Sequence, residues 1–191
     1  MIVFFLAPSL FLGCREAQVA AEKVRRAVVS VKEEATTPAF PCDSVVSTDA
    51  PTGCLSGTLQ CGDVIEGTTV GGDSNWNDDF YAGIFCFPAG DDRSGPERVY
   101  RFQAPANQDI TIKLQSDCVD LDLAVLAWEY GGSCPGVNHL IPECGGENRT
   151  GGDVARINTF KPREYLVAVE GKRAKAGPYR LTVTCAPLAG R

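Results

Sequence analysis

Residues 99–125 read VYRFQAPANQDITIKLQSDCVDLDLAV. In Tyr100, Phe102 and Ala104, then Ile110, Ile112 and Leu114, then Leu121, Leu123 and Val125, apolar side chains recur at every second position. Arg101, Gln103, Thr111, Lys113, Asp120 and Asp122 fill the positions between. A period of two places successive side chains on opposite faces of an extended chain, so each run predicts a strand with one buried and one solvated face. Pro105-Ala106-Asn107 and the stretch around Asp117 supply turn residues between the runs.

Working outward, the same alternation returns in Tyr165, Val167 and Val169 and in Tyr179, Leu181 and Val183. Shorter candidates lie at 63–68 and 155–160. Clusters of Gly, Pro, Asn and Asp separate the runs, and no helical periodicity interrupts them. Several short strands without crossover helices predict an all-β fold, an antiparallel two-sheet sandwich.

The whole chain has 191 residues and a formal net charge of −6, long enough for one domain with a real core plus an appendage. Its basic residues are scattered, which excludes the concentrated basic face that nucleic-acid binding needs. Lys172, Arg173 and Lys175 read as a solvated turn. Nine cysteines point to an oxidising compartment. With no C-x-x-C and His139 as the single histidine, disulfides are favoured over zinc. Cys42, Cys54, Cys61, Cys86, Cys118, Cys134, Cys144 and Cys185 form an even set once Cys14 is set apart.

Ile2–Leu12 is an apolar run of signal-peptide length, too short to span a bilayer. Phe11-Leu12-Gly13-Cys14 at its end resembles a bacterial lipobox, with Phe11 where Leu is usual, and implies that Cys14 is acylated. Residues 1–13 are thus expected to be a lipoprotein signal peptide and 14–41 an acylated Cys with a charged tether, ended by Thr36-Thr37-Pro38 and Pro41. Residues 42–191 are expected to be the disulfide-bonded domain. Arg15 stands where an inner-membrane retention signal would place Asp, so the resemblance implies the outer rather than the inner membrane of a bacterial envelope.

Together several segments of that domain resemble the bacterial pre-peptidase C-terminal domain, a small jelly-roll-like sandwich. They are Gly67-Thr68-Thr69 with Gly71-Gly72, Asn77–Tyr81, Glu97–Phe102, Asp120–Leu126, the pair Cys134 and Cys144, Tyr165–Gly171 and Ala176–Val183. The resemblance covers about 57–186. It departs after Cys144, where Gly145-Gly146-Glu147 replaces the Asn-Asp-Asp common in relatives. If the sandwich closes as in those relatives, Cys61 pairs with Cys185. The remaining pairs are expected to be Cys134–Cys144 within one loop, Cys86–Cys118 across a hairpin, and Cys42–Cys54, one choice among about 105 for eight cysteines.

Catalytic signatures are sparse. Neither Gly-x-Ser-x-Gly nor His-Glu-x-x-His occurs, and His139 lies in a Gly/Pro-rich loop, so no enzyme is expected. Asp73, Asn75, Asn77 and Asp79 alternate like the first half of an EF-hand loop, but Asp78 and Ile84 replace the turn glycine and the bidentate Glu. A calcium site using part of this loop, or Asp120 and Asp122, stays open as the one cofactor candidate. Trp76, Tyr81, Trp128 and Tyr130 are candidate ligand contacts. The first functional expectation is a non-catalytic binding module on the cell envelope for protein or polysaccharide. The alternative is an accessory lipoprotein acting through a partner protein, with no polymer ligand. An exposed aromatic patch favours the first and a packed aromatic set the second.

Overall fold

In the computed structural model the described residues are 42, 54–84, 92–129, 131, 134–136, 144–147 and 153–188. The signal peptide, Cys14, the tether, Cys86, Tyr130 and His139 lie outside them. Among the described residues nine strands run in order: β1 (Leu55–Leu59), β2 (Val64–Thr68), β3 (Glu97–Ala104), β4 (Gln108–Gln115), β5 (Leu121–Ala127), β6 (Cys144–Glu147), β7 (Val154–Thr159), β8 (Arg163–Gly171) and β9 (Pro178–Pro187). Among the described residues one short helix, α1 (Asp78–Ile84), lies between β2 and β3.

The strands form two sheets, β1-β3-β8-β5-β6 and β2-β9-β4-β7, here called sheet A and sheet B. All pairings are antiparallel except β1 with β3. Every connection except β5 to β6 carries the chain from one sheet to the other, so sequence neighbours face each other across the core. This is the expected two-sheet sandwich. All seven strands read from the alternation are present. Strands β1 and β6, of five and four residues, carry little alternation and escape such a reading, as does α1.

Between the sheets lies the main core. Tyr100, Phe102, Leu121, Leu123, Val125, Tyr165, Val167 and Val169 project from sheet A. Ile110, Ile112, Leu114, Ala155, Ile157, Tyr179, Leu181 and Val183 meet them from sheet B. Apart from Ala155 and Ile157, these are residues that the period-two reading assigns to the buried face. At about 25 cal/mol per Å² of apolar surface removed from water, this layer is the dominant favourable contribution to folding.

Sheet B keeps the expected amphipathic pattern, its alternate residues Val64, Glu66, Asp109, Lys113, Arg156, Asn158 and Thr184 being exposed. Sheet A does not. Every residue of β5 is buried, as are Tyr165–Gly171 of β8. Its outer face carries a second apolar layer of Val99, Ala124, Leu126, Leu166 and Ala168. Trp76, Phe80, Tyr81 and Trp128 seal it.

Three disulfides join described residues: Cys42–Cys118, Cys54–Cys134 and Cys61–Cys185. The pairing inferred from the resemblance holds. Bonds Cys134–Cys144, Cys86–Cys118 and Cys42–Cys54 do not form, and Cys144, itself disulfide-bonded, is not the partner of Cys134. The reason is topological. The expected hairpin between the Val99 and Leu114 strands does not exist, because β3 and β4 belong to different sheets. Sequence-local pairs thus give way to links of 76 to 124 residues.

Candidate functional site

The outer face of sheet A is built from three cross-strand rows. Register sets Arg101 beside Leu166 and Leu166 beside Leu126, then Val99 beside Ala168 and Ala168 beside Ala124. The last row is entirely acidic: Glu97 beside Glu170, and Glu170 beside Asp122. Directly opposed side chains on neighbouring antiparallel strands sit roughly 5 Å apart at Cβ, and like charges there are destabilising. Yet all three carboxylates are buried, at 4%, 1% and 0% exposure.

Cations from two other segments offset them. Arg93, buried in the stretch before β3, places Nε 3.1 Å from Oε1 of Glu170 and Nη2 3.5 Å from Oδ2 of Asp122. Lys172, just past β8, reaches Oδ1 of Asp122 at 3.3 Å. The Arg93 guanidinium also lies 5.2 Å from the centre of the Tyr81 ring, a cation–π contact. The Tyr81 hydroxyl also acts on Glu170, favouring its charged form.

The cover over these rows has two described pieces, residues 73–84 and 92–95. Asn77 explains why α1 begins where it does, since its Oδ1 accepts from the Phe80 amide at 3.1 Å, an N-cap bond. Oε1 of Glu97 accepts from the Asn75 and Trp76 amides at 2.8 and 3.3 Å. Asp78 ties the pieces together, its two oxygens accepting from the Asp92 and Arg93 amides at 3.1 Å each. Gly95 packs its backbone on Gly171, donating to the Gly171 carbonyl at 3.0 Å. A Cβ on Gly95 would come within 2.3 Å of that oxygen.

Burial pushes Glu170 well above the ordinary carboxylate range, although Arg93 and Tyr81 act in the opposite direction. Asp122 is raised by burial against the opposing pull of Lys172 and Arg93. Glu97 is raised by burial against the Asn75 and Trp76 amides. Tyr81 is raised well above its usual value, first by burial and then by Glu170.

Sequence-singled residues therefore divide. Trp76, Tyr81 and Trp128 do come together, but at 2%, 1% and 1% exposure they are packing groups rather than an open surface. Trp76 stacks on Phe80 with ring centres 5.0 Å apart, and Nε1 of Trp128 donates to the Gly131 carbonyl at 3.1 Å. Asp122, expected on a solvated face, is buried in the charge cluster because β5 is covered on both sides. Of the other calcium candidates, Asn77 caps α1, Asp73 bridges to Glu97 through the backbone, and Asn75 and Asp79 are exposed. Among the described residues no group of three or more Asp, Glu, His or Cys is placed to hold a metal ion. Lys172, read as part of a solvated turn, belongs to the cluster, whereas Arg173 and Lys175 are exposed as expected.

Arg93, Glu97 and Glu170 were not singled out. One signal was available: Asp122 interrupts Leu121–Ala127, a run apolar on both faces, and a carboxylate there needs a buried cation. Which cation answers it is a question of tertiary contact.

No family model matches the sequence, and no curated protein matches it. Among solved structures, it is similar to the pre-peptidase C-terminal domain of a collagenase from Bacillus anthracis. The identity is 15%, the match covers 74% of this chain and 100% of that one, and the TM-score is 0.43. It is also similar to PliG of Aeromonas hydrophila, a periplasmic inhibitor of g-type lysozyme, at 15% identity over 68% and 96% of the two chains with a TM-score of 0.41. PliG of Salmonella Typhimurium follows at 10% identity, 68% and 98% coverage and a TM-score of 0.34. The first of these is the module that residues 57–186 resemble in sequence. Function has to be argued from this chain's own residues.

Proposed function

We propose that this protein is a non-catalytic lipoprotein of the bacterial envelope that acts by contact with a partner protein, through the outer face of sheet B. The observation that carries this reading is the contrast between the two sheets. Sheet A has its outer face sealed by Trp76, Phe80, Tyr81 and Trp128, leaving those aromatics no access to a sugar polymer. Sheet B presents cross-strand rows to solvent: Glu66, Arg180 and Gln115; Val64, Thr182, Lys113 and Val154; Thr184, Thr111 and Arg156. Short threonine and valine side chains with charges of both signs make a flat, mixed surface, suited to a protein rather than to a polysaccharide, whose sites are lined by aromatics.

The absence of catalysis rests on the same geometry. Asp122 and Glu170, the best-placed pair of carboxylates, are buried at 0% and 1% exposure and held by Arg93, so a substrate has no route to them. Envelope location and anchoring rest on the lipobox-like Phe11–Cys14 and on the disulfides. Among the described residues no helix is long and apolar enough to cross a membrane.

The test is affinity capture with the full oxidised chain against separated envelope proteins and against envelope polysaccharides, alongside a Thr182→Arg variant. One protein retained by the wild type, lost by a variant with an unchanged melting curve, is expected. Retention of a polysaccharide, or of a protein indifferent to Thr182→Arg, would overturn the reading.

A further inference from the structure

Glu170 lies between two carboxylates, Glu97 on β3 and Asp122 on β5, and all three are buried. Two cations face them, Arg93 from the 92–95 segment and Lys172 from the turn after β8. Three anions against two cations leave one negative charge under the cover. Surplus charge in such surroundings is removed by proton uptake more readily than it is tolerated. The other acidic groups nearby add to the surplus: Asp120 acts on Asp122 and Asp73 acts on Glu97. Asp78 is turned to the Asp92 and Arg93 amides. From α1 the neighbour is the neutral Tyr81 hydroxyl. Arg98 of β3 points elsewhere, to the carbonyl oxygens of Thr68 and Val70.

The same groups fasten the cover. Glu97 holds the Asn75 and Trp76 amides, and Arg93 lies over the Tyr81 ring of α1 and joins the 92–95 segment to β5 and β8. We propose that residues 73–84 and 92–95 form a strap latched onto sheet A by this cluster, that the cluster is neutral because it keeps one proton centred on Glu170 through neutral pH, and that loss of this proton in alkali loosens the strap. The apolar rows beneath it, with Trp128, are what loosening exposes. Burial acts on all three carboxylates in the direction this requires.

A carboxyl that keeps its proton in the folded state and loses it when unfolded makes stability fall as pH rises. The loss begins above the unfolded carboxylate value, about 4.3, and is complete once pH has passed the folded value. One such proton raises the unfolding constant by at most about tenfold per pH unit within that window. The experiment is denaturant unfolding of the full oxidised chain from pH about 5 to about 9, wild type beside Glu170→Gln, with hydrogen exchange at the Asn75, Trp76 and Tyr81 amides. Glutamine is a neutral isostere of the protonated acid. The variant is expected to approach the wild type at the acid end of the range and to exceed it increasingly as pH rises. In alkali the three amides of the wild type are expected to exchange faster than those of the variant by more than the base-catalysed increase common to both.

Parallel pH curves for the two proteins overturn the proposal. Should Glu170→Gln not fold, infrared spectroscopy of the wild type decides. A protonated-carboxyl C=O band that persists at neutral pH and disappears in alkali supports the latch, and absence of that band at neutral pH overturns it.

Discussion

Replacing Trp128 by alanine separates a packing role from a ligand-contact role. Its side chain is 1% exposed and belongs to the layer that seals sheet A. Removing a buried Trp side chain of roughly 200 Å² forfeits about 5 kcal/mol as an upper figure at ~25 cal/mol per Å². Trp→Ala substitutions in cores cost about 3–5 kcal/mol. The lost hydrogen bond to Gly131 adds little, because Gly131 is exposed and water replaces the donor. With a urea slope of about 2 kcal/mol/M, the midpoint of Trp128→Ala should fall by about 1.5–2.5 M. Trp128→Phe keeps most of the apolar contact and should lose about 1–2 kcal/mol. The assay is equilibrium urea unfolding of the oxidised protein followed by far-UV circular dichroism. A Trp128→Ala protein as stable as the wild type that has lost retention of a polymer would refute the packing argument and restore the aromatic-platform reading.

Two further outcomes follow from the same structure. Cys61–Cys185 closes 124 residues, worth about 5 kcal/mol by loop entropy if it acted alone. Cys54–Cys134 already shortens that loop in the unfolded chain, so the double variant Cys61→Ser with Cys185→Ser should lose about 4 kcal/mol, read from chemical denaturation under non-reducing conditions; an unchanged midpoint contradicts this. For calcium, Asn77 of the loop caps α1 and Asp73 bridges to β3 through its backbone, while Asn75 and Asp79 are exposed. Melting curves in EDTA and in millimolar calcium should coincide, and a calcium-dependent rise in Tm shows a site that these duties do not account for.

Much of the fold was legible in local sequence. Tyr100, Phe102, Ile110, Ile112, Leu121, Leu123, Tyr179 and Leu181 lie in the inter-sheet core on the face their spacing assigns. The site was less legible. Trp76, Tyr81 and Trp128 were picked as a set and are a set, yet the choice between open surface and packed layer depends on whether something lies over sheet A. Asp73–Asp79 reads as an acidic loop; the Asn77 cap makes its continuation a helix whose Phe80 and Tyr81 join the layer of Val99, Ala124 and Leu166.

By itself the sequence determined which residues share a strand face and that most cysteines are bonded rather than metal-bound. Those are properties of short windows and of composition, set by the two-residue period of an extended chain and by side-chain chemistry. Tertiary structure alone decided which sheet each strand joins, and hence that Cys118 meets Cys42 and Cys134 meets Cys54. It also decided that sheet A is buried on both faces, and that Asp122 meets Arg93 instead of water. The physical reason is that a strand's alternation is satisfied equally well in either sheet. Only contacts between segments far apart in the chain select one arrangement, and those same contacts carry buried charge to its counter-ion.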